Sequence, residues 1–324
     1  MNVLKIKFAG LMIWLSAAFL GLQPAVASSL VIGVPSWPSA QVTSHIIELL
    51  LEEKLGAEAE LREGSTLGIL SGLDSGEYQV HPEIWFPNLE RPVESYVYEK
   101  KTVKLSGFSS IARQNICVTK ETAAMTGIKK VSDLANPEIA KQFDTNSDGL
   151  GEIWIGAPNW SSTNIERVRA KSYGYDKTMS LLLMEEDVAM AGVDVAASLG
   201  KPVVFYCYSP HHVYQLHEVY ILDEPVHDPE SWEIVTPAED PDWLDHSKAE
   251  SAWAPSSFRI GFSAALEKDM PKVSKFLEQV VFSPTQSTWM SYQVQVEGIA
   301  PEQVAKTWIA NNQDLVGNWL NKTE

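Results

Sequence analysis

Several aromatic residues of this 324-residue chain stand directly after runs that read as β-strands. Trp37 follows the branched run 30–34. Trp85 follows Val80 in His81-Pro82-Glu83-Ile84-Trp85, Trp160 follows 153–155, and Tyr208 ends the run 202–207. Ring faces are electronegative, and rings set around one point attract a cation, a quaternary ammonium group above all. Each ring contributes roughly 0.5–2 kcal/mol, so three or four give several kcal/mol. Micromolar affinity needs about 8 kcal/mol, and polar contacts must supply the difference. Most tryptophans pack in cores or rims, so placement carries the argument: in open α/β sheets, ligands bind beyond the carboxyl ends of strands. Trp253 is a further candidate wall, chosen for its position in a loop.

The polar contacts have a candidate source beside Trp160. In Ser161-Ser162-Thr163-Asn164-Ile165-Glu166 the spacing of Thr163 and Glu166 is that of a capping box. A helix N-terminus favours anions, so a carboxylate lodged there while a trimethylammonium end sits on Trp160 would satisfy both ends of a zwitterion. An ordinary capped helix reads the same residues without a ligand. A ligand such as choline, which lacks a carboxylate, would instead favour an acidic residue such as Glu83 near the cleft.

The stretch 144–152 has the spacing of a calcium loop. Asp144, Asn146, Asp148 and Glu152 supply side chains, Leu150 a backbone carbonyl, and Gly149 takes the turning place. The twelfth place is Ile155, so the usual bidentate glutamate is missing. A calcium ion of structural role is expected there, with a plain Asp/Asn/Gly turn as the alternative. His211, His212 and His217 lack metal-site spacing and are expected at the surface or on a cleft wall. No Gly-x-Ser-x-Gly, phosphate-binding glycine loop or His-Glu-x-x-His occurs, so nothing argues for an enzyme.

These residues need a scaffold, and the chain reads as α/β. A strand at 30–34, a loop and a helical pattern at 40–55 form half of a β-α-β unit. Further units follow at 66–80 and 103–118, which predicts α/β lobes with largely parallel sheets. Residues 223–251 read as an irregular excursion, and 272–280, 284–293 and 301–321 as helices. Ser283 before Pro284 suits a helix start. Ahead of all this, Lys5 and Lys7, the apolar run 8–22 and Ala25-Val26-Ala27 have the order of a secretory signal, with cleavage expected after Ala27. No cysteine follows to carry a lipid. Net charge is −17, and no basic stripe is present to neutralise phosphates, so nucleic acid is excluded as a partner. Cys117 and Cys207, the only cysteines, could pair in an oxidising compartment or lie buried as small apolar residues; both readings stay open.

The stretch Asn136-Pro137-Glu138-Ile139-Ala140-Lys141-Gln142-Phe143-Asp144-Thr145-Asn146-Ser147-Asp148-Gly149, continuing to Ala157-Pro158-Asn159-Trp160, resembles the periplasmic glycine betaine-binding proteins of osmoprotective ABC transporters. Glu83-Ile84-Trp85-Phe86-Pro87, the run 202–210 and the C-terminal helices support the resemblance. It implies a two-lobed, type II-like periplasmic binding protein fold with the ligand in the interlobe cleft. Lobe one would comprise 28–108 and 261–324, and the inserted lobe two 109–260. It further implies a monomeric, periplasmic receptor with a membrane permease as partner. The ligand would be glycine betaine or a relative such as choline, carnitine or trimethylamine N-oxide. Trp85 and Trp160 look like two of the family's cage walls. Tyr208 stands where the glycine betaine binders place a third tryptophan, and Ser161 and Ser162 where backbone groups hold the carboxylate. The family's carboxylate-binding histidine is absent: Asn88 and Leu89 stand there. An aromatic-cleft sugar-binding protein or glycosidase, and a sensor module docking on another membrane partner, are the competing classes.

Overall fold

The computed structural model describes residues 29–322; the signal segment expected at 1–27 lies outside them. β1 (Leu30–Val34) is a run of apolar residues buried on both faces. It turns through Pro35 and Ser36 into α1 (Pro38–Leu55), opened by a proline whose missing N–H costs nothing there and closed by Gly56 in the left-handed region. β2 (Ala59–Glu63), α2 (Thr66–Ser75) and β3 (Val80–Phe86) complete a parallel set in which β1 pairs with both β2 and β3. β4 (Val103–Leu105) and the long β5 (Ser110–Thr119) follow.

The second half is built from β6 (Gly151–Trp154), α3 (Ser161–Tyr173), β7 (Met179–Leu182), α4 (Glu186–Ser198), β8 (Val204–Ser209) and β9 (Val219–Ile221). A two-stranded ribbon, β10 (Trp232–Glu233) and β11 (Lys248–Ala249), lies in the excursion expected at 223–251. β12 (Ser256–Ser263) returns the chain to the first half, and α5 (Pro271–Gln279), α6 (Pro284–Gln295), α7 (Pro301–Asn311) and α8 (Gln313–Asn321) pack there. The main sheet runs β2-β1-β3-β12-β5-β8-β6-β7, and the chain has the two-lobed α/β architecture that the resemblance implied.

Three details differ from expectation or sharpen it. The sheets are mixed: β12 pairs antiparallel with β3 and β5, and β5 antiparallel with β8. The chain crosses between halves on two long strands rather than on crossover helices, so the strands at the junction alternate in direction. The helix expected over 301–321 breaks at Asn312, whose amide donates to the Trp308 carbonyl at 2.8 Å and competes with the helical ladder. Cys117 and Cys207, left open by the sequence, form a disulfide between β5 and β8 with Cα atoms 5.8 Å apart.

Candidate ligand-binding site

Trp37 is the residue before α1, Trp85 lies near the end of β3, Trp160 precedes α3 and Tyr208 lies near the end of β8. Four separate elements therefore deliver four rings to one place. Trp37 and Trp160 meet at 6.0 Å and 86°, Trp160 and Tyr208 at 5.7 Å and 82°, and Tyr208 and Trp85 at 5.5 Å and 87°. Successive rings at near right angles are arranged as the walls of a box. Phe258 stacks behind Trp85 at 5.0 Å, and Trp154 packs edge-on against Trp160 at 5.7 Å, so the walls are held from outside. Thr66, Asn88, Gln114, Ser161, Ser162 and Tyr206 complete the lining of a narrow hollow between the rings.

The loop before Trp160 is fixed by Gly156. Its φ is +124°, and a Cβ there would meet Thr163 Oγ1 at 2.4 Å, so only glycine fits. The capping box expected from Thr163 and Glu166 does not form. The helix starts three residues earlier than that box requires, Thr163 Oγ1 donates instead to the Ala157 carbonyl at 2.6 Å, and Glu166 is drawn into the interior by Arg169 and Trp253.

Behind the rings lie buried acids. Glu83 Oε2 accepts the indole N–H of Trp37 at 2.7 Å and of Trp85 at 3.0 Å, while Oε1 accepts the Ser39 hydroxyl at 2.9 Å. Burial pushes the Glu83 carboxyl up to about 7, and these three donors oppose the shift. Glu186 Oε1 accepts the Tyr208 hydroxyl at 2.6 Å and lies 2.5 Å from His211 Nε2. Burial, reinforced by Glu186, holds the Tyr208 phenol well above its ordinary range, so it stays neutral. The floor is made of neutral amides: Asn88 and Gln114 exchange two hydrogen bonds of 2.8 Å, and Tyr206 donates to Gln114.

Contacts also tie the two halves together around the box. Trp160 Nε1 donates to Ser36 Oγ at 3.0 Å, and Ser36 Oγ donates to Asn159 Oδ1 at 3.2 Å. Thr66 Oγ1 donates to the Asn159 carbonyl at 3.0 Å and accepts the Ser161 N–H at 3.3 Å. Sequence reasoning missed Thr66, Gln114 and Tyr206. The position of Thr66 at the start of a helix following a strand was the available signal.

Of the residues singled out from sequence, Trp37, Trp85, Trp160, Tyr208, Ser161 and Ser162 line the hollow. Trp253 does not. Its indole donates to Glu166 Oε1 at 2.7 Å, and its ring packs on Trp232 and Arg169, so a loop position that pointed to the cleft serves an interior ion cluster instead. His211 and His212, expected at the surface or on a cleft wall, are buried behind Tyr208, where His212 reaches Ser291 of α6.

In the loop 144–152, Asp144, Asp148 and Glu152 bring one carboxylate oxygen each within 4.8 Å of one another. Asn146 spends its amide oxygen on the Asp148 N–H and Leu150 donates its N–H to Asp148, so these two take part in the turn itself. Glu152 Oε2 accepts from Thr145, and its Oε1 is buried without a hydrogen-bond partner.

Residues 28–311 match the OpuAC family, the substrate binding domain of ABC-type glycine betaine transport systems. The glycine betaine/proline betaine-binding periplasmic protein of Salmonella typhimurium is 31% identical over 106 residues, 33% of this chain and 32% of the relative. The Escherichia coli protein of the same description is 28% identical over 143 residues, 44% of this chain and 43% of the relative. The matched segments thus span less than half of these relatives' length. An ABC-transporter choline binding protein solved with choline superposes with a TM-score of 0.70 at 20% identity, covering 92% of this chain and 93% of that one. Lactococcal OpuAC solved with glycine betaine gives 0.66 at 17% identity, covering 90% and 99%. At such identities the likeness concerns the fold, and among the described residues no helix is long and apolar enough to cross a membrane. The match over 28–311 places the chain in the OpuAC family of substrate-binding domains of ABC-type glycine betaine transport systems.

Proposed function

We propose that the chain captures a small quaternary-ammonium compound in the box of Trp37, Trp85, Trp160 and Tyr208 and presents it to the membrane permease of an ABC importer. The observation that carries this reading is the set of near-perpendicular ring pairs around one hollow. A stacking site for a sugar needs one broad face, whereas a box suits a compact cation. The lobes are read as 28–108 with 261–324 and as 109–260, closing on a ligand that bridges them. Export by cleavage after Ala27, residence in the periplasm and a monomeric state belong to the same reading.

A calorimetric screen of the mature chain against betaines, choline, carnitine, trimethylamine N-oxide, amino acids and sugars tests it. Binding of sugars without any quaternary amine would sink the proposal. The loop 144–152 is further proposed to hold a structural calcium ion on Asp144, Asn146, Asp148, the Leu150 carbonyl and Glu152, with the carboxylates of Asp144, Asp148 and Glu152 near one another and the partnerless Glu152 Oε1 in its favour. Thermal unfolding in calcium and in chelator tests this; coincident curves would rule the ion out.

A further inference from the structure

Two buried acids stand behind the walls of the box. They lie behind different walls: Glu83 behind Trp37 and Trp85, Glu186 behind Tyr208. An indole N–H can only donate, so Glu83 accepts from both rings, which favours its charged form. That donation also polarises the rings and makes their faces better partners for a cation. Glu186 keeps its second oxygen buried and without a hydrogen-bond partner. Among the described residues lining the hollow none is Lys, Arg or His. The adjoining hollow, which shares Ser36 and Asn159 with the tie across the lobes, adds Glu63 and Glu185 and again no cationic side chain.

The one feature that would draw an anion is the N-terminus of α3. Its first N–H, from Ser161, is already met by Thr66 of the opposite lobe. A carboxylate lodged there would have to displace Thr66 and share the hollow backed by the buried Glu83 and Glu186, with no Lys or Arg among the lining residues.

We infer that the site selects by net charge, taking a quaternary-ammonium cation whose other end is a neutral hydroxyl in preference to a zwitterionic betaine, and that Glu83 sets this preference through the indoles of Trp37 and Trp85. The inference rests on the cage reading above. Asn88, Gln114, Thr66 and Ser162 line the hollow as neutral polar groups, among which a hydroxyl exchanges hydrogen bonds without adding charge. The charged or titratable groups around Glu83 are His81, whose Nδ1 accepts the Glu83 N–H, and Glu186. Burial holds His81 down to about 4, so it carries no compensating charge at neutral pH.

The test is calorimetry with choline and glycine betaine on the wild type and Glu83→Gln, from pH 6 to 8.5. Choline is expected to bind the wild type at least about tenfold more tightly than betaine. Its affinity should rise with pH through 7, because a bound cation favours the ionised acid and expels its proton. In Glu83→Gln choline should weaken at least about tenfold, betaine should hold or improve, and the pH slope should vanish. Tighter betaine binding by the wild type overturns the inference alone. Equal weakening of both ligands with the slope unchanged reduces Glu83 to a structural role and also overturns it. Failure of both ligands to bind overturns the cage reading and this inference with it. Should the variant not fold, the choline-to-betaine ratio and the pH slope of the wild type decide the matter.

Discussion

Trp160→Ala separates the cage from ordinary core packing. The substitution removes one wall that meets both Trp37 and Tyr208, worth about 0.5–2 kcal/mol to a bound cation. It also deletes the Nε1 bond to Ser36 across the lobes, worth about 0.5–1.5 kcal/mol in the closed form. Together these give about 1–3.5 kcal/mol, or a rise in Kd of about fivefold to about four-hundredfold. The matching control is Trp253→Ala. Trp253 is 6% exposed against 7% for Trp160 and also donates its indole N–H, but to Glu166 away from the hollow. Both variants should lose stability, by up to about 3–5 kcal/mol. Calorimetric titration with tetramethylammonium and with choline, on samples shown to be folded by thermal unfolding, should then find weakened binding in Trp160→Ala and near-wild-type binding in Trp253→Ala. Equal losses in the two variants would mean that affinity tracks general stability, and the cage argument would fail.

Thr66→Val keeps the shape of the side chain but deletes the hydroxyl that joins Asn159 and Ser161 across the cleft. Two such bonds are worth about 1–3 kcal/mol, so ligand affinity should fall about fivefold or more while unfolding of the empty protein changes little. Titration and melting curves read the two effects separately. Glu83 and His81 should give the empty protein a characteristic pH response. Glu83 is raised from 4.5 to about 7, so the folded chain holds its proton longer and this contribution is lost as pH rises through 7. His81 is lowered from 6.5 to about 4, so its contribution is lost as pH falls below 6.5. Each difference corresponds to about 3 kcal/mol, so the two nearly cancel between pH 4.5 and 6.5. In Glu83→Gln the unfolding temperature should instead climb across that window; a flat profile would contradict the assignment. Replacing Cys117 and Cys207 by serine opens a loop of 90 residues and should cost about 2–5 kcal/mol, visible as a lower denaturant midpoint.

The rings of the cage were legible because their positions after strand-like runs follow from alternation of elements alone. The same reasoning failed for Trp253, since a loop position does not reveal which side of a lobe the loop faces. Thr163 and Glu166 misled for a related reason. Capping-box spacing is a local pattern, but Glu166 answers to Arg169 and Trp253, the latter 87 residues further along the chain. Glu83 was visible as an acid near the cleft, while its bond to both Trp37 and Trp85 depends on how β3 sits beside the start of α1. Thr66 showed only its place at a helix start, because its partners Asn159 and Ser161 lie 93 and 95 residues further along the chain and meet it only in the fold. The mixed sheet was unforeseen for the same physical reason: strand direction at the junction is set by where the chain crosses, which composition does not encode.

The ion cluster around Arg169 has a mechanical consequence. Arg169 binds Glu166, Glu224 and the carbonyl of Ser251. Ser251 lies shortly before the strand that carries the chain back to the first lobe, which begins at Ser256. The opposite end of the same helix begins directly after Trp160, about 12 Å from Arg169 by helical rise. A helix is stiff over that length, so it couples Trp160 at one end of the hollow to the clamped return crossing at the other. Any shift of Trp160 is thereby felt at the strand that returns the chain to the first half.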